Sequence, residues 1–118
     1  MKELKFTCKA EIEEYDEVYD ENVEIVINFY KKNKKDNFYL MDIGIGEFSI
    51  NFFNPKFVKN PYQVLCEHFG YNEIHLKNHL VKHYQCVFKW NKIYVPEIEL
   101  NNLINKLESF QIMDKLLE

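Results

Sequence analysis

Residues 5–13 read KFTCKAEIE. Phe6, Cys8, Ala10 and Ile12 alternate with Lys5, Thr7, Lys9, Glu11 and Glu13, the period-two pattern of an antiparallel strand with one face in a core and the other in water. Val23, Ile25, Ile27 and Phe29 repeat the pattern. The polar block Lys31–Asn37 then separates them from Phe38–Ile45, so these two runs predict a hairpin whose loop carries Lys31, Lys32, Lys34 and Lys35. Gly44 and Gly46 interrupt the apolar run before Phe48, Ile50 and Phe52, where a backbone without Cβ can bulge or turn into a fourth strand. The first half therefore reads as a meander of about four strands.

The character changes after residue 59. Asn60 followed by Pro61 is a cap and first-residue pair and Gly70 a stop, which predicts a short helix over Pro61–Phe69. Leu76, Leu80 and Tyr84, at four-residue steps after the potential cap Asn72, predict a second short helix, with an irregular loop as the alternative. Tyr84–Trp90 and Ile93–Val95 flank Asn91 and Lys92, and either run extends the sheet by a strand. Beyond Pro96, residues Leu100, Leu103, Ile104, Leu107, Phe110, Met113 and Leu117 keep the spacing of a long amphipathic helix. No repeat, low-complexity tract or flexible linker divides the chain. Residues 1–118 read as a single α+β domain: an antiparallel sheet, of about four strands plus one or two late ones, packed against the C-terminal helix and one or two short helices.

Composition narrows the function. The chain has 118 residues, 47% of them hydrophobic and 29% charged, which excludes a disordered tail. Nineteen acidic residues against 15 basic ones give a net charge of −4, the wrong sign for a protein that coats a duplex by neutralising phosphates. All basic residues are Lys, so the guanidinium fork that grips phosphate, carboxylate or guanine is absent. No apolar stretch suits a signal peptide or a membrane span. A soluble, cytoplasmic protein without membrane contact is expected. Cys8, Cys66 and Cys86 lack metal-binding or disulfide spacing and read as apolar filler.

The strongest local anomaly is charge. Glu11, Glu13, Glu14, Asp16, Glu17, Asp20, Glu21 and Glu24 fall within 14 residues that hold no lysine, so this segment carries −8 and leaves the rest at +4. Such a run is commonly just a solvated connection between strands. It also focuses a negative field that steers a basic partner, and Tyr15 and Tyr19 within it supply rigid contact area. Glu13, Glu14, Tyr15, Asp16, Glu17, Tyr19, Asp20 and Glu21 are therefore the candidate partner-binding residues. The lysine loop is an opposite-sign alternative surface.

Other constellations are weaker. His75, His79, His83 and Cys86 would share one stripe of a continuous helix and could ligate zinc, yet no HExxH or paired CxxC accompanies them, and the plain reading is of boundary histidines against the core. Cys66 and His68, two apart on a helix, point to different sides and make a poor nucleophile and base. Gly44-Ile45-Gly46 lacks the third glycine of a dinucleotide loop. The rhythm of EHFGYNEIHLKNHLVKH matches a helix-turn-helix, with Lys77, Asn78 and Lys82 facing outward and Gln85–Val95 as a wing. No catalytic residue, resident metal or cofactor is expected, and the sequence leaves the oligomeric state open.

The paired strands Phe38–Gly46 and Phe48–Phe53, ending in Asn54-Pro55-Lys56-Phe57-Val58, then a short helical middle, a late strand such as His83–Phe88 and a closing amphipathic helix together resemble the immunity protein 8 family of bacterial polymorphic-toxin systems. The resemblance spans residues 22–108. Phe57 in place of an expected Trp and the acidic first connection depart from it. It implies a non-catalytic inhibitor that binds a cognate toxin domain, by its charge a basic nuclease, and blocks its active site or an exosite. The readings it competes with are a helix-turn-helix DNA-binding regulator and a phage or plasmid inhibitor of some other protein.

Overall fold

A computed structural model describes residues 2–46 and 56–117, with the side chains of Lys2 and of 111–117 left out of the description. Its elements are β1 (Lys2–Glu14), β2 (Glu17–Tyr30), β3 (Phe38–Ile45), β4 (Lys56–Phe57), α1 (Pro61–Phe69), α2 (Glu73–Tyr84), β5 (Val87–Lys89), β6 (Lys92–Pro96), a 3-10 turn (Glu97–Glu99) and α3 (Leu100–Leu117). The strands form one antiparallel sheet in the order β4-β1-β2-β3-β6-β5. The α+β class, the long closing helix on the sheet and both short helices are as the sequence predicts. No helix among the described residues is long and apolar enough to cross a membrane.

Alternation decides which sheet face is covered. Leu4, Phe6, Cys8, Ala10 and Ile12 of β1 and Val23, Ile25, Ile27 and Phe29 of β2 are buried on one face, with Met41, Ile93 and Val95 beside them. Against that face lie Val64, Leu65 and Cys66 of α1, Leu76 and Leu80 of α2, and Leu103, Ile104 and Leu107 of α3. Phe69 ties the layers together, meeting Phe6 edge-on at 5.2 Å and stacking on Phe110 at 4.7 Å. The period-3.6 face of α3 is thus seen as far as Phe110, while Met113 and Leu117 belong to the side chains not described.

The helix ends follow their local chemistry. Asn60 Oδ1 accepts from Gln63 N at 2.8 Å while Gln63 Oε1 accepts from Asn60 N at 2.9 Å, a complete capping box ahead of Pro61. Gly70 closes α1 at φ +78°, a conformation an L side chain resists. Asn72 caps α2 through His75 N, which settles the choice between helix and loop.

Two boundaries differ from the sequence reading, and one expected strand lies outside the described residues. The expected fourth strand at Phe48–Phe52 lies outside the described residues, as do Asn54 and Pro55; the next described strand, Lys56–Phe57, lies at the far edge and pairs with Ile12 and Glu13. The described meander comprises β1, β2 and β3. Next, the late strand drawn from His83 or Tyr84 begins only at Val87, because α2 runs on through Tyr84 and turns out through left-handed Gln85, φ 55°. Finally, the acidic segment is not a connection. β1 and β2 pair without a break from Lys2–Phe29 to Glu14–Glu17, and only Tyr15 and Asp16 turn the chain. Leu103→Ala, which opens a cavity between α3 and the sheet where the wild-type side chain is fully buried, is expected to lower unfolding free energy by about 2–5 kcal/mol in urea denaturation.

Candidate protein-binding surface

The acidic residues sit at the end of the β1–β2 ladder, flanked by β4 at Ile12 and Glu13, and the register separates their faces. Glu11, Glu13, Asp20 and Glu24 alternate with the buried residues and stand on the outer face, opposite the helices. Glu14, Glu17, Tyr19 and Glu21 share the inner face, with Tyr15 and Asp16 at the tip. The eight candidate residues are therefore brought to one end of the molecule, but as a two-sided projection instead of a flat patch. Tyr15 is 86% exposed. Tyr19 is half-buried, packs against the core cluster, and donates its hydroxyl to Glu14 Oε2 at 2.7 Å. Desolvation, that hydrogen bond and the Glu14 and Glu21 charges push its phenol up to about 12.

Two features make the ribbon costly. Glu14 faces Glu17 and Glu11 faces Asp20 directly across the strands, and like charges in that position destabilise a sheet. Lys56 lies in register with Glu13, and the Glu11 charge helps hold the Lys59 ammonium above its ordinary range, behind that lysine's hydrogen bond to Glu67. On the β2 side, Glu17, Asp20, Glu21 and Glu24 make no ion pair among the described residues. The negative field is least compensated there.

The tip adds a backbone cost. Tyr15 (φ 50°) and Asp16 (φ 63°) are both left-handed, as the type I′ turn of a two-residue hairpin requires, although Asn-Gly is the sequence that suits it. The β5–β6 hairpin repeats the arrangement with Trp90 (φ 54°) and Asn91 (φ 61°), and Trp90 is 83% exposed. Bulky aromatics in this conformation are outliers. Both two-residue turns among the described residues thus hold a solvent-facing ring where local stability favours Asn or Gly. Comparison of the chain with protein-family models, with curated proteins and with solved structures finds no match.

The remaining candidates separate. His75 and His83 are exposed and His79 half-buried; the His79 and His83 rings lie 4.5 Å apart, with Tyr71 and Tyr84 against His79. Cys86 leaves the stripe because α2 ends at Tyr84; it is buried, and burial, then the Glu99 charge, pushes its thiol up to about 12. Among the described residues no group of three or more His, Cys, Asp or Glu is placed to hold a metal ion. Cys66 is buried in the core and pushed up to about 11 by that burial, against a lowering from the Tyr62 hydroxyl, so it is a neutral thiol at neutral pH. His68 turns its ring toward Phe6.

Sequence reasoning missed Trp90, whose turn position became visible only with the β5–β6 register. The signal was its place before Asn91, a residue that tolerates the left-handed conformation.

Two outcomes follow. Replacing Tyr15 and Asp16 by Asn and Gly should raise unfolding free energy by about 1 kcal/mol, measured by denaturant titration, since it relieves the left-handed strain. Burial, the neighbouring His83 and Lys106 hold the His79 imidazolium below its ordinary pKa. Its contribution is intact above about pH 6.5 and is lost as pH falls from there through the lowered folded value. The melting temperature should therefore drop between about pH 7 and pH 5, and His79→Gln should flatten that drop.

Proposed function

We propose that this chain is an immunity-type inhibitor that binds a cationic protein domain, with a bacterial toxin of basic nuclease character as its partner, and occludes it without turnover of its own. The observation that carries the reading is the projecting β1–β2 ribbon, which keeps opposed carboxylates and an exposed Tyr15 at one end of the molecule at a cost to stability. Carboxylates spaced along a ribbon reproduce the charge of a phosphate backbone, and a nuclease groove is built to receive that charge. Tyr15 supplies desolvated contact area at the tip. Tyr19, fixed by Glu14 against the core, holds the ribbon's shape more than it offers a free ring.

The test uses the product of the neighbouring reading frame. Co-expression should restore growth to cells producing that protein's toxic domain. The quadruple variant Glu13→Lys, Asp16→Lys, Glu17→Lys, Asp20→Lys should slow association by roughly tenfold to a hundredfold at low salt, read by stopped-flow or surface resonance. Unchanged association would remove the ribbon from the interface, and absence of protection would remove the inhibitor reading.

A second reading, a DNA-binding regulator, draws on α1 and α2 joined through Gly70–Asn72 and followed by the β5–β6 hairpin, with Lys77, Asn78 and Lys82 exposed on α2. Lys77 stands over the Phe88 ring at 5.6 Å, and its helix also exposes Ile74 and Val81. Retardation of duplex DNA by the purified protein, lost on Lys77→Glu with Lys82→Glu, would favour it.

A further inference from the structure

β1 stands at the edge of the sheet for most of its length. β2 pairs with it from Lys2 to Glu14, whereas on its other side β4 reaches only Ile12 and Glu13. The chain then leaves that side: Val58 N donates to Glu11 O at 3.1 Å, and Asn60 opens α1 soon after. Lys56 lies opposite Glu13, on the tip side of Phe57. Among the described residues no strand adjoins β1 on this side from Lys2 to Ala10. The outward side chains there, Glu3, Lys5, Thr7 and Lys9, are all exposed, whereas Asn28, Val26 and Glu24, opposite the first three on β2, are half-buried.

The backbone of this stretch is set for pairing. The Glu11 carbonyl is turned to the β4 side, and in an extended strand every second residue directs both its N–H and its C=O the same way. Glu3, Lys5, Thr7 and Lys9 therefore present theirs toward the open edge, while Leu4, Phe6, Cys8 and Ala10 direct theirs to β2. An edge of this length is a template for another strand. A second copy of the same stretch fits it in one register. A two-fold axis at Phe6, the midpoint of Lys2–Ala10, sets Glu3 opposite Lys9 and Lys5 opposite Thr7, each twice. An axis at Lys5 would oppose that ammonium to itself, and one at Thr7 would oppose Lys5 to Lys9 twice. An axis at Cys8 would bring Lys5 against Glu11, where the chain leaving β4 is already seated, and one at Leu4 would shorten the ladder. The point where β4 stops and the order of the charges thus select the same centre independently.

We propose that the chain binds a second copy of itself through the open edge of β1, the two sheets joining by antiparallel pairing from Glu3 to Lys9 about a two-fold axis at Phe6. Backbone hydrogen bonds supply the attraction. The two pairs of Glu3 with Lys9 fix the register, since opposite charges directly across a ladder support it and like charges destabilise it. Within one chain Glu3 faces Asn28 and Lys9 faces Asn22, so neither meets a charge across β2; Glu3 has Lys5 at 3.5 Å on its own strand and comes to lie between two lysines in the pair. The contact is isologous and closes on itself, which covers both open edges of β1 and leaves the three-residue β5 at the margins of the joined sheet. The paired strands run in opposite directions, so the two acidic turns point to opposite ends and do not repel each other across the axis. The surface stands apart from the inhibitor reading: it uses none of the candidate toxin-binding residues and presents two acidic ends on one particle.

Sedimentation velocity of the full chain between about 5 and about 500 µM should show monomer converting to dimer, with a midpoint on the order of tens of micromolar, as suits a small edge-strand contact. Lys9→Glu should weaken self-association about tenfold by setting carboxylates opposite one another twice, and Glu3→Lys should do the same with ammonium groups. An equimolar mixture of these two variants should recover dimers at the concentrations where the parent forms them, because in the mixed species both facing pairs are again opposite in sign. Thr7→Pro removes an edge-directed N–H and leaves the β2 ladder its hydrogen bonds, so it should abolish the dimer, with circular dichroism as the folding check. Amide exchange at Thr7 and Lys9 should slow with rising protein concentration, while that at Phe6 stays constant. The proposal is overturned if the parent stays monomeric throughout, which would leave the edge to solvent or to a foreign strand, if the mixture forms no more dimer than either variant alone, or if folded Thr7→Pro dimerises as the parent does.

Discussion

The ladder between β1 and β2 is the constraint on which the rest depends. Thirteen residues of one strand pair in unbroken register with the other, and a one-residue slip would exchange every buried side chain for a charged one. Phe6, Ile25, Ile27 and Phe29 then fix where the helices must lie, because only their face repays covering. The Phe6, Phe69 and Phe110 contacts join β1, α1 and α3 through one aromatic column. The same decision puts the polar and charged side chains of β1, from Glu3 to Glu13, on the outer face.

That ladder also explains how an adverse sequence is tolerated at its end. Glu11, Asp20, Glu14 and Glu17 would not pair by themselves, and Tyr15-Asp16 is a poor turn. They are carried by the buried stretch behind them, where Cys8, Ala10, Val23 and Ile25 hold both strands to the core. Local disagreement with a well-determined scaffold is the usual mark of a site retained for something other than stability. Where β3 ends beside the acidic segment, Gly46 approaches β2 so closely that a Cβ there would meet the Glu24 and Val26 side chains within 2.7 Å, and its N–H donates to Glu24 O at 2.8 Å. The last acidic residue of the ribbon is thereby fastened where β3 ends.

Much of this was legible in the residues and some was not, for identifiable reasons. Alternation located β1 over residues 5–13 and the second half of β2, because their inner positions there are apolar, and β3 was legible as the apolar run after the lysine loop. It failed over residues 14–22, where the inner positions are Glu14, Glu17, Tyr19 and Glu21, so a strand lying beyond the core looked like a loop. Asn60-Pro61 and Gly70 announced α1 because capping is local chemistry. The start of β5 was placed too early because Tyr84 suits either a helix face or a strand and nothing in the sequence forces Gln85 left-handed. The acidic end was visible as composition, but its division between two faces needed the register.

β2 begins in the carboxylate turn and finishes beside the lysine loop, along a molecule 46 Å in its longest extent. Its opposite poles give the whole body an electric dipole moment along one axis. A charged neighbour several ångströms outside contact therefore exerts a torque before it exerts a grip, and the molecule arrives already turned with one named end forward.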